Sequence, residues 1–255
     1  MNISSQKADT WIRCFHPSDA AVARLVCFPH AGGSATYYFP LSRATPPWLD
    51  VVAVQYPGRQ DRRTEPCVED LHELADRVFE AVRGWTDLPF ALFGHSLGAS
   101  LGFEVGMRLE KDGRPPLALF ASGRRAPSRH RNERVHEQDD AGIIAELKRL
   151  AGTDTRMLGE EDVLRMILPS LRGDYKAAET YRGRPGDRLT APITALTGTD
   201  DPQVTLEEAN AWAGHTSSAF TLRTYPGGHF FLNHHSPAII EEILAVLNGS
   251  VSPRP

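Results

Sequence analysis

The stretch that decides the fold reads Pro89-Phe90-Ala91-Leu92-Phe93-Gly94-His95-Ser96-Leu97-Gly98-Ala99-Ser100. Its first half is a short apolar run that predicts a buried strand, and the residues after Ser96 carry the apolar pattern of a helix. Between them, the pattern Gly-x-Ser-x-Gly predicts a sharp turn that holds Ser96 in a strained backbone conformation. Small residues are needed two positions before and after that serine, where Gly94 and Gly98 stand, because a side chain there would clash with the adjoining strand and helix. The stretch therefore predicts a nucleophile elbow, with the Ser96 hydroxyl at the carboxyl end of a strand.

Length and composition favour one soluble α/β domain spanning residues 1–255 over two domains, since the chain has 255 residues of which 41% are hydrophobic. The net charge of -4 gives no reason to expect a nucleic-acid partner. Cys14, Cys27 and Cys67 show no C-x-x-C spacing, so neither a disulfide framework nor a zinc site is expected, and a reducing cytoplasm suits them. No apolar run approaches the roughly 18 residues of a membrane span. We expect a cytoplasmic protein without metal or membrane partner.

Strand and helix patterns alternate along most of the chain, with the elbow strand near the middle. Such alternation predicts a mainly parallel sheet with helices on both faces. The further strands are predicted at 11–15, 24–28, 50–55, 117–121, 192–197 and 220–225, and the helices at 68–83, 207–212 and 237–247.

The alternation breaks between about residues 123 and 189, a charge-rich region with no convincing strand. Apolar residues recur at helical spacing within 139–150 and 163–171, which predicts two helices of an inserted lid. Apolar faces lying over an active site would form an acyl-binding cavity. The alternative is that these helices only pack on the sheet, and periodicity cannot decide between the two.

A serine nucleophile needs a base and a carboxylate, and the chain offers both after later strands. His229 follows a flexible Pro-Gly-Gly loop beyond the last strand, from which its imidazole can reach back over the sheet. The acid is Asp200 or Asp201. We favour Asp201 because the acid of α/β-hydrolases commonly lies three residues after the glycine that ends this strand, here Gly198. The order Ser, Asp, His is that of the α/β-hydrolase fold.

A second loop of small residues, Pro29-His30-Ala31-Gly32-Gly33-Ser34, directly follows a predicted strand. Small residues let backbone N–H groups approach a ligand closely, and in hydrolases of this type such a loop supplies half of the oxyanion hole. An ordinary glycine turn is the alternative when the loop is considered without the elbow.

Six motifs together make the chain, from about residue 11 to residue 248, resemble the type II thioesterases. They are Phe28-Pro29-His30-Ala31-Gly32-Gly33, Tyr56-Pro57-Gly58-Arg59, Phe93-Gly94-His95-Ser96-Leu97-Gly98, Ser122-Gly123-Arg124-Arg125-Ala126-Pro127, Leu168-Pro169-Ser170-Leu171-Arg172-Gly173-Asp174 and Gly227-Gly228-His229-Phe230-Phe231.

The resemblance implies an α/β-hydrolase fold and an enzyme that stands beside polyketide or nonribosomal peptide synthases. It would remove stalled or incorrect acyl groups from the phosphopantetheine thiol of acyl or peptidyl carrier proteins, as a monomer without a cofactor. The implied catalytic residues are Ser96, Asp201 and His229, and the implied oxyanion donors are the backbone N–H groups of Ala31 and Leu97.

Other functions remain compatible with the sequence. A generic esterase or an acyltransferase would keep the triad, whereas a non-enzymatic binding module would lack one of its members. A domain embedded in a synthase is not expected, since Met1 lies close to the first predicted strand. The basic stretch from Gly123 to Arg134 is predicted to attract an acidic carrier protein and its phosphate, or else to hold the lid through internal ion pairs.

Overall fold

One seven-stranded sheet forms the centre of the protein in the computed structural model, which describes residues 10–151 and 161–250. Its strands are β1 (Ile12–Cys14), β2 (Ala23–Phe28), β3 (Leu49–Val54), β4 (Phe90–His95), β5 (Leu119–Ser122), β6 (Ile193–Gly198) and β7 (Phe220–Tyr225). They lie in the order β1-β3-β2-β4-β5-β6-β7, and all neighbours are parallel except β1 and β3. The predicted α/β-hydrolase fold is thus confirmed, with the elbow strand β4 in the middle of the sheet.

Helices cover both faces of this sheet. They are α1 (Phe39–Ala44), α2 (Leu71–Val82), α3 (Leu97–Lys111), α4 (Asp140–Ala151), α5 (Glu161–Thr180), α6 (Leu206–Asn210) and α7 (Ser236–Ser250). Every residue of β2 to β6 is buried, as expected for parallel strands with helices on both sides. Along β2 the side chains alternate, so that Val26 and Phe28 join one apolar layer while Leu25 and Cys27 join the other.

Helix α5 is much longer than the predicted segment 163–171 and continues through Pro169 to Thr180. A proline inside a helix removes one hydrogen bond and crowds the preceding turn, at a cost of about 3 kcal/mol. Buried contacts on both sides of Pro169 offset this cost, because Leu164, Leu168 and Leu171 all pack in one apolar cluster. Tertiary packing therefore overrides the local signal to stop.

The insertion, by which we mean the chain between β5 and β6, carries α4 and α5. Their apolar stripes pack mainly against each other, in a cluster of Val135, Ile143, Leu147, Leu164, Leu168, Leu171 and Tyr175. This cluster is separate from the two apolar layers of the sheet. Within residues 10–151 and 161–250, no helix has the length and apolar character that a membrane crossing requires.

Candidate active site

The turn between β4 and α3 has the geometry of a nucleophile elbow. Ser96 has φ 54° and ψ -118°, a conformation that is rare outside glycine. A methyl group on Gly94 would lie 2.0 Å from the carbonyl oxygen of Gly98, and one on Gly98 would lie 2.0 Å from the carbonyl oxygen of Phe28. Both positions therefore admit only glycine. The N–H of Ser96 donates to the carbonyl oxygen of Ser122 at 2.8 Å, which ties the elbow to the neighbouring strand.

His229 and Asp201 meet at the same edge of the sheet, in the loops after β7 and β6. Nδ1 of His229 lies 3.0 Å from Oδ1 and 2.9 Å from Oδ2 of Asp201. The same Oδ1 also accepts from the backbone N–H of Gln203 at 2.8 Å, so the carboxylate is held from two sides. Asp200 is exposed and accepts from the hydroxyl of Thr199 at 2.9 Å. Of the two candidate acids, the structure places Asp201 against the imidazole.

Ser96, His229 and Ala31 line one cavity of about 30 Å³, which lies between the elbow and the insertion. The rest of its wall combines apolar side chains with charged and polar ones. The other lining residues are His30, Arg124, Glu133, Leu147, Leu150, Tyr175, Ala178, Glu179, Gln203 and Phe230. Both helices of the insertion thus reach the cavity, whereas Leu164, Leu168 and Leu171 of α5 pack in the cluster described above.

Two buried histidines surround the imidazole of His229 without a partner carboxylate in the described chain. The ring of His95 lies 4.9 Å from that of His229, and the ring of His30 lies 6.0 Å from that of His95. Burial lowers the pKa of His30 to about 3, with the charges of His229 and Arg59 adding to the effect. Burial likewise lowers the pKa of His95 well below its usual range. Both rings thus stay neutral near pH 7 and do not oppose a positive charge on His229.

The two predicted oxyanion donors, Ala31 and Leu97, lie in the loop after β2 and directly after Ser96. Ala31 lines the cavity, and Leu97 is the first residue of α3. An N–H in the first turn of a helix has no acceptor within that helix. Among the described residues, neither N–H donates to another protein group. Both are therefore available to a negatively charged oxygen.

Sequence reasoning assigned no role to Arg59 or Asp174, although both lie in quoted motifs. Asp174, on α5, accepts from the N–H of Gly32 at 2.8 Å and forms a buried ion pair with Arg59. The spacing of the two motifs could not reveal this contact, because the ion pair joins residues 115 positions apart.

The arginines of the basic stretch are mostly engaged within the protein. Arg125 pairs with Glu133 within the insertion, and Arg131 pairs with Glu208 of α6, so both form ion pairs inside the protein, as the alternative prediction expects. Arg124 differs, since it hydrogen-bonds to Ser100 and to the carbonyl oxygen of Ala178 without pairing with a carboxylate in the described chain.

Comparison with known proteins identifies the family of this chain. A family model described as thioesterase domain matches residues 23–247. The chain is 54% identical over 241 residues to a probable cadicidin biosynthesis thioesterase of Streptomyces griseus, covering 94% of this chain and 67% of that protein. It is 49% identical over 249 residues to thioesterase PikA5 of Streptomyces venezuelae, covering 96% and 89% of the two chains. The solved structure of the type II thioesterase BorB from the borrelidin biosynthetic cluster is 50% identical, with a TM-score of 0.91 over 96% of this chain and 100% of that one. The chain therefore belongs to the thioesterase domain family and is a thioesterase of type II.

Proposed function

We propose that the protein hydrolyses acyl groups from the phosphopantetheine thiol of carrier proteins, and that it thereby removes stalled or aberrant acyl units during polyketide or nonribosomal peptide synthesis. The observation that carries this proposal is that His229, whose Nδ1 lies 2.9 Å from Oδ2 of Asp201, lines one cavity with the elbow serine Ser96. The carrier-bound substrate is supported by BorB, a type II thioesterase that belongs to the borrelidin biosynthetic cluster.

In the proposed mechanism, Nε2 of His229 takes the proton of the Ser96 hydroxyl as the oxygen attacks the thioester carbonyl. Asp201 holds the proton on Nδ1 and stabilises the imidazolium that forms. The N–H groups of Ala31 and Leu97 stabilise the oxyanion. The imidazolium then protonates the departing thiol sulfur, which leaves an acyl-enzyme. Water attacks that ester with His229 again as the base, and Ser96 is released with the free acid.

We further propose that the insertion acts as a lid and that it limits the acyl chain. Support comes from the cavity of about 30 Å³, which is small and is partly walled by the insertion. Leu147 and Leu150 close it from α4, while Tyr175 and Ala178 close it from α5. Long acyl groups would need a larger rearrangement of this wall than short ones, so we expect short acyl groups to be preferred.

The carrier protein is proposed to place its phosphate in a basic pocket beside the active-site cavity, lined by Arg124, Arg129, His130 and Arg182 among others. Arg124 lines both spaces, so the pocket is adjacent to the active-site cavity. Among the described residues, no carboxylate pairs with Arg124 or Arg182. Burial lowers the pKa of His130, and the charges of Arg182, Arg125 and Arg124 lower it further, as expected where the local potential is positive.

The experiment that tests the function compares one acyl group on a carrier protein and on N-acetylcysteamine, with Ser96→Ala as the inactive control. We expect release of free acid from both substrates, a higher kcat/KM for the carrier protein, and a loss of several orders of magnitude in the variant. Equal kcat/KM values would leave a generic esterase, and transfer of the acyl group to an added alcohol or amine would indicate an acyltransferase. Size-exclusion chromatography with light scattering tests the expected monomer.

A further inference from the structure

A buried ion pair meets the loop that carries Ala31. Asp174 is 1% exposed and Arg59 is 6% exposed. Nη1 of Arg59 lies 2.6 Å from Oδ2 of Asp174, and Nη2 lies 2.9 Å from Oδ1. The guanidinium and the carboxylate therefore meet in the two-pronged arrangement that is the strongest form of this contact. One partner comes from the loop after β3 and the other from α5, so the pair joins the insertion to the main domain.

Both partners also hold the backbone of this loop. Oδ2 of Asp174 accepts from the N–H of Gly32 at 2.8 Å, and Nη1 of Arg59 donates to the carbonyl oxygen of Gly33 at 3.1 Å. Gly32 has φ +72°, and a methyl group on it would lie 2.8 Å from Cδ1 of Leu171, one turn before Asp174 on α5. The loop is thus fixed at an N–H, at a carbonyl and along one side.

These contacts fix the peptide group next to Ala31. The bond from Gly32 N–H sets the plane of the peptide that follows Ala31, and this limits how far the N–H of Ala31 can turn away from the cavity. Arg59 also neutralises Asp174, which matters because an unpaired carboxylate beside an oxyanion would oppose its formation. A carboxylate alone would hold the loop, but its negative charge would destabilise the oxyanion. The ion pair holds the loop without adding net charge.

We propose that Arg59 and Asp174 are positioning residues, which set the N–H of Ala31 for the oxyanion and make the oxyanion hole depend on the docked position of α5. This inference rests on the proposed function. A merely structural role makes a different prediction, because replacing a buried ion pair by apolar residues of similar size is often neutral for stability. If both charges are removed together, a change in loop geometry should lower kcat, whereas a loss of the fold would lower Tm.

The test uses the full-length protein with two double variants and one control. Arg59→Met with Asp174→Leu removes the charges and every bond to the loop. Arg59→Met with Asp174→Asn removes the charges but keeps an oxygen that can accept from the N–H of Gly32. The matched control is Arg62→Met with Glu65→Leu, since Arg62 is 5% exposed, pairs with Glu65 and bonds to the backbone of Gln55 rather than to this loop.

Three quantities are measured for each variant: kcat and KM for an acyl-N-acetylcysteamine thioester, the affinity for an alkyl boronic acid that forms a tetrahedral adduct on the serine, and Tm. We expect the leucine variant to lose about 100-fold in kcat and a similar factor in boronic acid affinity, with KM nearly unchanged. The asparagine variant should recover much of both losses. The control should keep its kcat even where its Tm falls.

The proposal is overturned if the two double variants have the same kcat, if boronic acid affinity stays at the wild-type value while kcat falls, or if the control loses kcat as strongly. Should the leucine variant fail to fold, Asp174→Asn alone replaces it. This variant keeps the Gly32 bond, so its Tm should fall while kcat stays within about threefold of wild type, since only a lost donor costs 100-fold or more. A loss beyond tenfold contradicts the proposal. Failure of the proposed function is recognised separately, because wild-type protein would then show no thioester hydrolysis that depends on Ser96.

Discussion

Replacing Asp201 by asparagine tests the role of this carboxylate, because the substitution exchanges only one of its oxygens for an NH₂ group. In the structure, Oδ1 of Asp201 accepts from the N–H of Gln203 at 2.8 Å, and Oδ1 and Oδ2 lie 3.0 Å and 2.9 Å from Nδ1 of His229. An asparagine keeps the first bond only if its oxygen occupies the Oδ1 position. Its NH₂ group then lies near Nδ1. Because the NH₂ group can only donate, it forms a hydrogen bond only with an Nδ1 that carries no proton. This contact favours the imidazole tautomer with its proton on Nε2, and that nitrogen then cannot accept a proton from Ser96.

The expected loss follows from this change of tautomer. In a serine triad the corresponding substitution lowers kcat by about 10⁴-fold, which equals about 5 kcal/mol of transition-state stabilisation. Stability should change far less, since the amide has nearly the shape of the carboxylate and keeps the Gln203 bond.

The assay measures kcat with an acyl-N-acetylcysteamine thioester, alongside urea unfolding, for Asp201→Asn and for the matched control Asp200→Asn. Asp200 is exposed and bonds to Thr199, so its variant should keep kcat within about threefold, as for most exposed substitutions. The reasoning is refuted if Asp201→Asn loses less than tenfold in kcat while folded, or if the two variants lose equally.

Three further outcomes are expected. Leu150→Trp should lower kcat/KM for long acyl groups more than for short ones, whereas Ile144→Trp, outside the cavity wall, should keep the parent's ranking in the same substrate panel. Acidification from pH 6.5 to pH 5 should lower the free energy of unfolding by about 1.5 kcal/mol through His30, because burial lowers its pKa to about 3 in the folded state and unfolding therefore takes up a proton below its ordinary pKa near 6.5. Urea titrations of wild type and His30→Asn at both pH values should show that the variant lacks this contribution. Arg182→Glu should raise the KM for acyl-carrier protein at low salt but leave the small thioester unaffected, whereas Arg184→Glu, outside the basic pocket, should change neither.

The fold and the elbow could be predicted from sequence because their signals are local. The apolar strand, the two glycines and the helix around Ser96 lie within 12 consecutive residues, and each glycine is required by a backbone contact in the structure. The order of strands and helices likewise followed from hydrophobic period. By contrast, the continuation of α5 beyond Pro169 depends on packing between α4 and α5, which no local pattern reports.

The polar part of the site was harder to predict for the same reason. Glu133 and Glu179 line the cavity, but in the sequence they are two charged residues in a charge-rich insertion. The basic stretch gave no sign of which arginines are paired, because the partner of Arg131 is Glu208, on α6, 77 positions away. Only the tertiary fold separates Arg124, which faces two cavities, from arginines that hold the structure together.

The hydrogen bond between Asp174 and Gly32 affects the order in which the enzyme folds, because it joins residues 142 positions apart. Contacts of such long range close large loops, and they form late because their entropy cost must be met by structure already in place. In a refolding experiment, helical circular dichroism and burial of tryptophan should therefore return before catalytic turnover does. The time between these signals measures the docking of the insertion, so the onset of hydrolysis reports completion of the fold.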